Sequence, residues 1–150
     1  MTAVDRSGQV RWLATEDPHP ARDAQRAALR HAIAGDKPSW LALWAEACEL
    51  HDPVGPGPFD PDGTGFAGRE GASAFWDVAI APVSRWDVEV RRSYAAGDSA
   101  AQEATFTVGL GEGGQVAIDM VVVYRVDDAG LITSMRAHWE PSRVRAVDPE

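Results

Sequence analysis

Val116-Ala117-Ile118-Asp119-Met120-Val121-Val122-Val123-Tyr124-Arg125-Val126 runs into the turn Asp127-Asp128-Ala129-Gly130 and resumes as Leu131-Ile132-Thr133-Ser134-Met135-Arg136-Ala137-His138-Trp139. In the first segment Val116, Ile118, Met120, Val122, Tyr124 and Val126 share one face, and Asp119 and Arg125 lie on the other. That two-residue period is the mark of a half-buried strand. In the second segment Leu131, Thr133, Met135, Ala137 and Trp139 are expected to point inward, with Ser134, Arg136 and His138 outward. Two further strands precede these. Trp86, Val88 and Val90 alternate with Asp87, Glu89 and Arg91, and Ala104, Phe106, Val108 and Leu110 share a face before the Gly111–Gly114 hairpin turn. The second half of the chain is therefore an antiparallel meander with one apolar face.

The first half reads differently. Residues 1–19 are polar, end near Pro18 and Pro20, and are expected to form an extension whose Val10, Trp12 and Leu13 cover apolar surface. The alanine-rich run 21–34 is helical and stops at Gly35. Asp36 caps a second helix with Pro38 in its first turn and Trp40, Leu41, Leu43 and Trp44 at helical spacing. Residues 48–52 read as a short strand, 53–67 as a Gly/Pro-rich loop, and 69–80 as a third helix presenting Phe75 and Trp76. A loop of this length is often a functional rim. Helices first and a meander after define an α+β domain. The expected form is a cone: three helices on a curved, mostly antiparallel sheet that encloses a hydrophobic pocket. The domain is expected over 20–142, with a C-terminal tail from 143 to 150.

Composition narrows the function. A formal net charge of -9 with no basic stripe argues against nucleic acid or an anionic membrane surface as partners. No run of eighteen apolar residues reads as a span and no N-terminal apolar run as a signal peptide, so a cytoplasmic location is expected. The single cysteine, Cys48, excludes an internal disulfide, and the four histidines stand too far apart to suggest a metal site.

In Glu49-Leu50-His51-Asp52-Pro53-Val54-Gly55, Asp52 ends a short apolar strand before a Pro/Gly turn. Two roles suit it. It either initiates an Asx-type turn or stands as a lone carboxylate in an apolar cavity, where raised basicity suits abstraction of a proton from carbon.

These stretches resemble the ketosteroid isomerase branch of the NTF2-like, or SnoaL-like, superfamily. The resemblance rests on Ala34-Gly35-Asp36, on Asp52-Pro53-Val54-Gly55, on Gly68 through Trp76 and on Tyr124 through Trp139, and it spans about residues 21–139. It implies the cone fold, a homodimer and a general base without cofactor or metal, a role that falls on Asp52. The substrate implied is a hydrophobic carbonyl compound, steroid-like or polyketide-like. The family's oxyanion hole pairs a tyrosine with a protonated aspartic acid. By the same alignment of motifs those positions hold Ala28 and Val122. Asp119 is expected on the opposite strand face and cannot replace the missing donor.

Three side chains are candidate substitutes: His31, one turn beyond Ala28, and the indoles of Trp44 and Trp139. For each, ordinary packing is the competing role. Ala28, Val54, Phe75, Trp76, Phe106, Met120, Val122 and Met135 are expected to line the pocket, and Phe59 and Phe66 to stand near its entrance. The outer sheet face, with Val121, Val123 and Ile132, suits pairing of two copies. Three functions compete: an isomerase shifting a proton α to a carbonyl, a SnoaL-like cyclase or dehydratase acting on polyketides, and a non-catalytic binder of hydrophobic ligands.

Overall fold

The chain order among the residues described by the computed structural model, 7–148, is β1 (Ser7–Trp12), α1 (Pro20–Ala34), α2 (Lys37–Leu41), β2 (Trp44–His51), β3 (Phe66–Ala67), α3 (Gly68–Phe75), β4 (Arg85–Ala96), β5 (Ser99–Gly109), β6 (Gln115–Val126), β7 (Ile132–His138) and β8 (Arg145–Val147). One sheet takes all the strands in the order β1-β4-β5-β6-β7-β2-β3, with β8 against β6. Most pairings are antiparallel; β1 with β4 and β2 with β7 are parallel. The helices cover the concave face, and their alanines and the inward strand residues share a single core. This is the α+β cone that the alternation and the helix order lead one to expect.

Local chemistry sets the helix boundaries. His19 Nδ1 accepts the Ala21 N–H at 3.0 Å to cap α1. Gly35, at φ 70°, ends it in the left-handed conformation that glycine adopts without steric cost. Asp36 caps α2 by accepting the Ser39 N–H. The second helix ends at Leu41, short of the expected Trp44, because Trp44 is drawn into the sheet beside Ile132 and the Leu43 carbonyl accepts the Ile132 N–H. Helix α3 passes into a π-helical turn, Trp76–Ile80, before the chain enters β4.

Both ends of the chain contribute strands. The expected N-terminal extension contains β1, in which Val10 and Trp12 alternate with Gln9 and Arg11 and satisfy the open edge of β4. Buried Arg22 holds the segment that follows, donating to the Asp17 carbonyl at 2.6 Å and to Ser93 Oγ at 2.9 Å. The expected C-terminal tail contains β8, which pairs with Gln115–Ala117. Residues 1–6 and 149–150 of those two segments lie outside the described residues.

The start of β7 differs from expectation: Leu131 and Thr133, expected inward, are not part of the core, and Ile132, expected outward, is. Ile132 is fully buried and belongs to the core. A register irregularity between Arg125 and Val126 shifts the β6–β7 ladder by one, and a one-residue shift turns a side chain to the other face. Val121 remains exposed, within a surface where Arg91 meets Glu103 and Asp119 meets Arg145.

Candidate active site

Asp52 and Trp139 are neighbours because two parallel strands end side by side. In the β2–β7 ladder Leu50 pairs with Met135 and His51 with Arg136. Glu49 fixes that register: its Oε1 accepts from Ser134 Oγ and from the Arg136 guanidinium. The Val54 N–H then reaches the Ala137 carbonyl at 2.9 Å. The first residue beyond β2 is Asp52 and the first beyond β7 is Trp139. The indole Nε1–H donates to Asp52 Oδ1 at 2.5 Å, leaving Oδ2 without a protein partner among the described residues.

Both residues face a cavity of about 360 Å³ between the helices and the sheet. That volume is within the usual range of small-molecule sites. Exposed Val78 and Leu110 rim its mouth. Among the described residues that line it, Asp52 is the one carboxylate, and there is no lysine, arginine or histidine. Asp52 is half-buried, its open side being the cavity. Desolvation by the surrounding side chains pushes its carboxyl up to about 6, against the smaller opposing pull of the Trp139 hydrogen bond.

The loop after Asp52 closes over this region. It turns back at Gly65, whose φ is +83° and whose N–H donates to Asp60 Oδ2 at 2.7 Å. A Cβ at Gly65 would lie 2.3 Å from His51 Cε1, so a side chain there would displace the imidazole. The loop delivers Phe59 to the cavity, edge-on to Phe75 at 6.2 Å. Phe66 stays behind, against Phe75 at 5.5 Å.

Of the residues expected around the pocket, Ala28, Phe75, Phe106, Met120, Val122 and Met135 line it, together with Asp52 and Trp139. Four do not. Trp76 and Trp44 lie behind Trp40, whose ring stands 5.3 and 5.4 Å from theirs, and it is Trp40 that reaches the lumen. Trp44 starts β2 rather than ending a helix, and its Nε1 is buried without a partner, away from the cavity. His31 sits some 60° around α1 from Ala28, on the flank facing Asp36, and is absent from the wall. Val54 turns outward to an open groove on the far side of Trp139. Trp139 is thus the one candidate substitute donor that reaches the lumen, and its N–H is committed to Asp52. Asp119 points outward as expected, accepting from Thr105 at 2.6 Å and from Arg145.

Sequence reasoning passed over Gln102. It continues the inward phase of Ala104, Phe106 and Val108 by one more step, so parity alone places it on the cavity face. It lines the lumen and is 2% exposed. Tyr124 shares the inward phase of β6, and its ring is part of the same wall. Desolvation, and after it the nearby charge of Asp52, raises its phenol well above the ordinary range.

With this geometry the comparisons with known proteins are consistent. The chain belongs to the SnoaL-like domain family, whose model matches residues 11–135. Among solved structures it is similar to Rv0760c from Mycobacterium tuberculosis in complex with estradiol-17beta-hemisuccinate. That pair shares 32% identity over 85% of this chain and 99% of the other, with a TM-score of 0.80. It is also similar to the Δ5-3-ketosteroid isomerase from Mycobacterium sp., at 30% identity over 87% of this chain and 100% of that one, with a TM-score of 0.81. SalBIII, an epoxide hydrolase/cyclase-like enzyme of pyran ring formation in salinomycin, shares the fold at 20% identity over 84% of this chain and 95% of its own, with a TM-score of 0.70. No curated protein matches the sequence. No helix among the described residues is long and apolar enough to cross a membrane.

Proposed function

We propose that this protein is an isomerase-type enzyme that moves a proton at the carbon α to a carbonyl of a flat hydrophobic compound, with Asp52 as the general base. The observation that carries this reading is one desolvated carboxylate, tethered through one oxygen, in an otherwise uncharged apolar cavity. Oδ2 takes the proton from carbon and returns it to a nearby carbon of the same ligand. Trp139 holds the other oxygen, so the base does not need to find its orientation at the moment of reaction. Burial favours the protonated carboxyl that forms midway, and it brings the basicity of Asp52 toward neutral pH, where general bases work best. Steroid-like ligands are supported by the similarity to the Mycobacterium isomerase and to the steroid complex of Rv0760c.

The test is conversion of 5-androstene-3,17-dione to its conjugated isomer, followed by ultraviolet absorbance. Turnover with kcat/KM rising through a midpoint near pH 6 is expected. Absence of turnover across that range would reject steroid isomerisation and leave the cyclase and binding functions.

Trp139→Phe gives a separate prediction. It removes the one hydrogen bond that lowers the Asp52 pKa, so the rising limb of the pH profile should move to higher pH. The loss of the tether should lower kcat roughly tenfold. An unchanged midpoint would remove Trp139 from the account.

We further propose that two copies associate through the outer sheet face, where Val121 is 43% exposed. Gel filtration at micromolar concentration should give about twice the mass of one chain, and a monomer mass would reject the pairing.

A further inference from the structure

Proton abstraction beside a carbonyl drives negative charge onto its oxygen, and catalysis is usually weak unless hydrogen-bond donors wait there. Ala28 and Val122 offer none, and Trp139 is spent on Asp52. The cavity wall does hold polar groups without protein partners.

Two of them stand together at the level of Asp52. Gln102 pairs directly with Val122 across the β5–β6 ladder, and Val122 pairs with Ala137 on β7. Asp52 continues the parallel register beside Ala137, one step beyond the His51–Arg136 pair. Gln102, Val122, Ala137 and Asp52 thus form one transverse row of the curved sheet. Tyr124 is two residues from Val122 on the same face, which makes it the diagonal neighbour of Gln102. Diagonal neighbours stand about 7–8 Å apart, their Cβ atoms somewhat closer, within reach of two long side chains converging on one atom.

Neither group is occupied by the protein. Gln102 Oε1 is buried and has no partner, and the Tyr124 hydroxyl makes no hydrogen bond with any described residue. A buried amide oxygen left unpaired costs stability, so its retention in a wall of hydrocarbon calls for a use. The last torsion of a glutamine is broad, and rotation about it presents either the oxygen or the N–H to the lumen without backbone movement. Another unpaired polar group of the wall, Trp86 Nε1, is level with Val108, six residues along β5 and about 20 Å of strand away. It belongs to the opposite end of the cavity.

We infer that Tyr124 and Gln102 form the donor pair that receives the ligand's carbonyl oxygen, the phenol O–H and the carboxamide N–H closing on it from adjacent strands. The inference rests on the proposed proton-transfer reading for the identity of the ligand, a carbonyl compound presented to Asp52. It places the carbonyl at the inner end of the cavity, with the apolar body of the ligand extending past Met120 and Phe106 toward the mouth. The donor set has moved from the positions of Ala28 and Val122 to the next strand and the next inward residue.

The probe is androst-4-ene-3,17-dione carrying carbon-13 at its C3 carbonyl, bound to the full chain and observed by NMR. A carbonyl carbon moves downfield when its oxygen accepts hydrogen bonds. The bound resonance should lie well downfield of its position in an apolar solvent, and Tyr124→Phe and Gln102→Met should each return it part of the way. Each variant should weaken binding roughly tenfold. Gln102→Met should also melt at or above the wild-type temperature, since it removes a buried unpaired oxygen at nearly constant volume. Melting well below wild type would make Gln102 a structural residue and overturn its part in the pair.

The inference is overturned if the probe does not bind, if its resonance sits at the apolar-solvent position, or if both variants leave the resonance where it was. Failure of the base reading looks different. In that case Asp52→Asn leaves turnover unchanged, or no protein turns over, while the downfield resonance and its loss in Tyr124→Phe persist.

Discussion

Asp52→Asn is expected to lower kcat/KM for 5-androstene-3,17-dione about a thousandfold while leaving steroid binding close to that of the wild type. The substitution is nearly isosteric. The asparagine carbonyl oxygen can still accept the Trp139 N–H, so the row of residues around it and the closure of the loop are kept. What is lost is the lone pair that takes a proton from carbon, for which a carboxamide is not basic enough. General-base catalysis by a positioned side chain is typically worth 10²–10⁴ in rate, and no other carboxylate or imidazole among the described residues lines the cavity. Parallel measurement of Kd by titration separates the two effects. A variant that keeps more than about a tenth of wild-type turnover would remove Asp52 from the chemistry.

The same substitution should stabilise the fold, and only on the basic side. Burial raises the Asp52 carboxyl from 3.8 to about 6 in the folded chain. A raised carboxyl means the folded state holds the proton more tightly than the unfolded state. Its contribution to stability is therefore complete below about pH 4 and is lost as pH rises through 6. At pH 8 the wild type carries an ionised, desolvated carboxylate at a cost of up to about 3 kcal/mol. Asparagine is neutral throughout, so Asp52→Asn should be more stable than the wild type by about that amount at pH 8, with the difference closing by pH 4. The lowered carboxyls of Glu49, Asp98 and Asp119 lose their contributions in acid in both proteins alike, so they cancel in the comparison. Urea denaturation of the pair at several pH values measures the difference directly. Equal stability of the two at pH 8 would mean that Asp52 is solvated and has no raised basicity to use.

Stability given up at Asp52 and at the unpaired oxygen of Gln102 falls on two cavity residues whose alternatives, an asparagine and a methionine, would suit folding better. That is the pattern expected where a site is held for its chemistry.

The architecture was legible because alternation in β4, β5 and β6 is nearly unbroken, and a two-residue period fixes which side chains meet the core. The end of α1 and the start of α2 followed from Gly35 and Asp36, residues whose backbone and side-chain chemistry act locally. What was not legible depended on contacts distant in sequence. Trp44 keeps helical spacing from Trp40, yet pairing with Ile132 draws it into a strand. Ile132 keeps an outward phase on paper, and an irregularity in the β6–β7 ladder buries it. The polar strand β1 has too little apolar signal to be read until the edge of β4 is known to need it.

At the site, Asp52 could be singled out from its setting, but which of the three candidate substitute donors would reach the lumen could not, nor that the one that does would be bonded to Asp52. His31, Trp44 and Trp139 differ by which parallel strand ends beside which, a fact of register that composition does not carry. Gln102 was within reach of the same parity argument that placed Phe106. It was missed because a lone polar residue in an inward phase reads as the end of a strand.

The ionisation of Asp52 itself is the most direct test of the proposed chemistry. Carbon-13 carboxyl NMR, with the Asp52 resonance assigned through its absence in Asp52→Asn, should give a titration midpoint near 6 that coincides with the midpoint of the kcat/KM profile. A midpoint near 3.8, the ordinary aspartate value, would contradict the desolvated base on which the proposed chemistry depends.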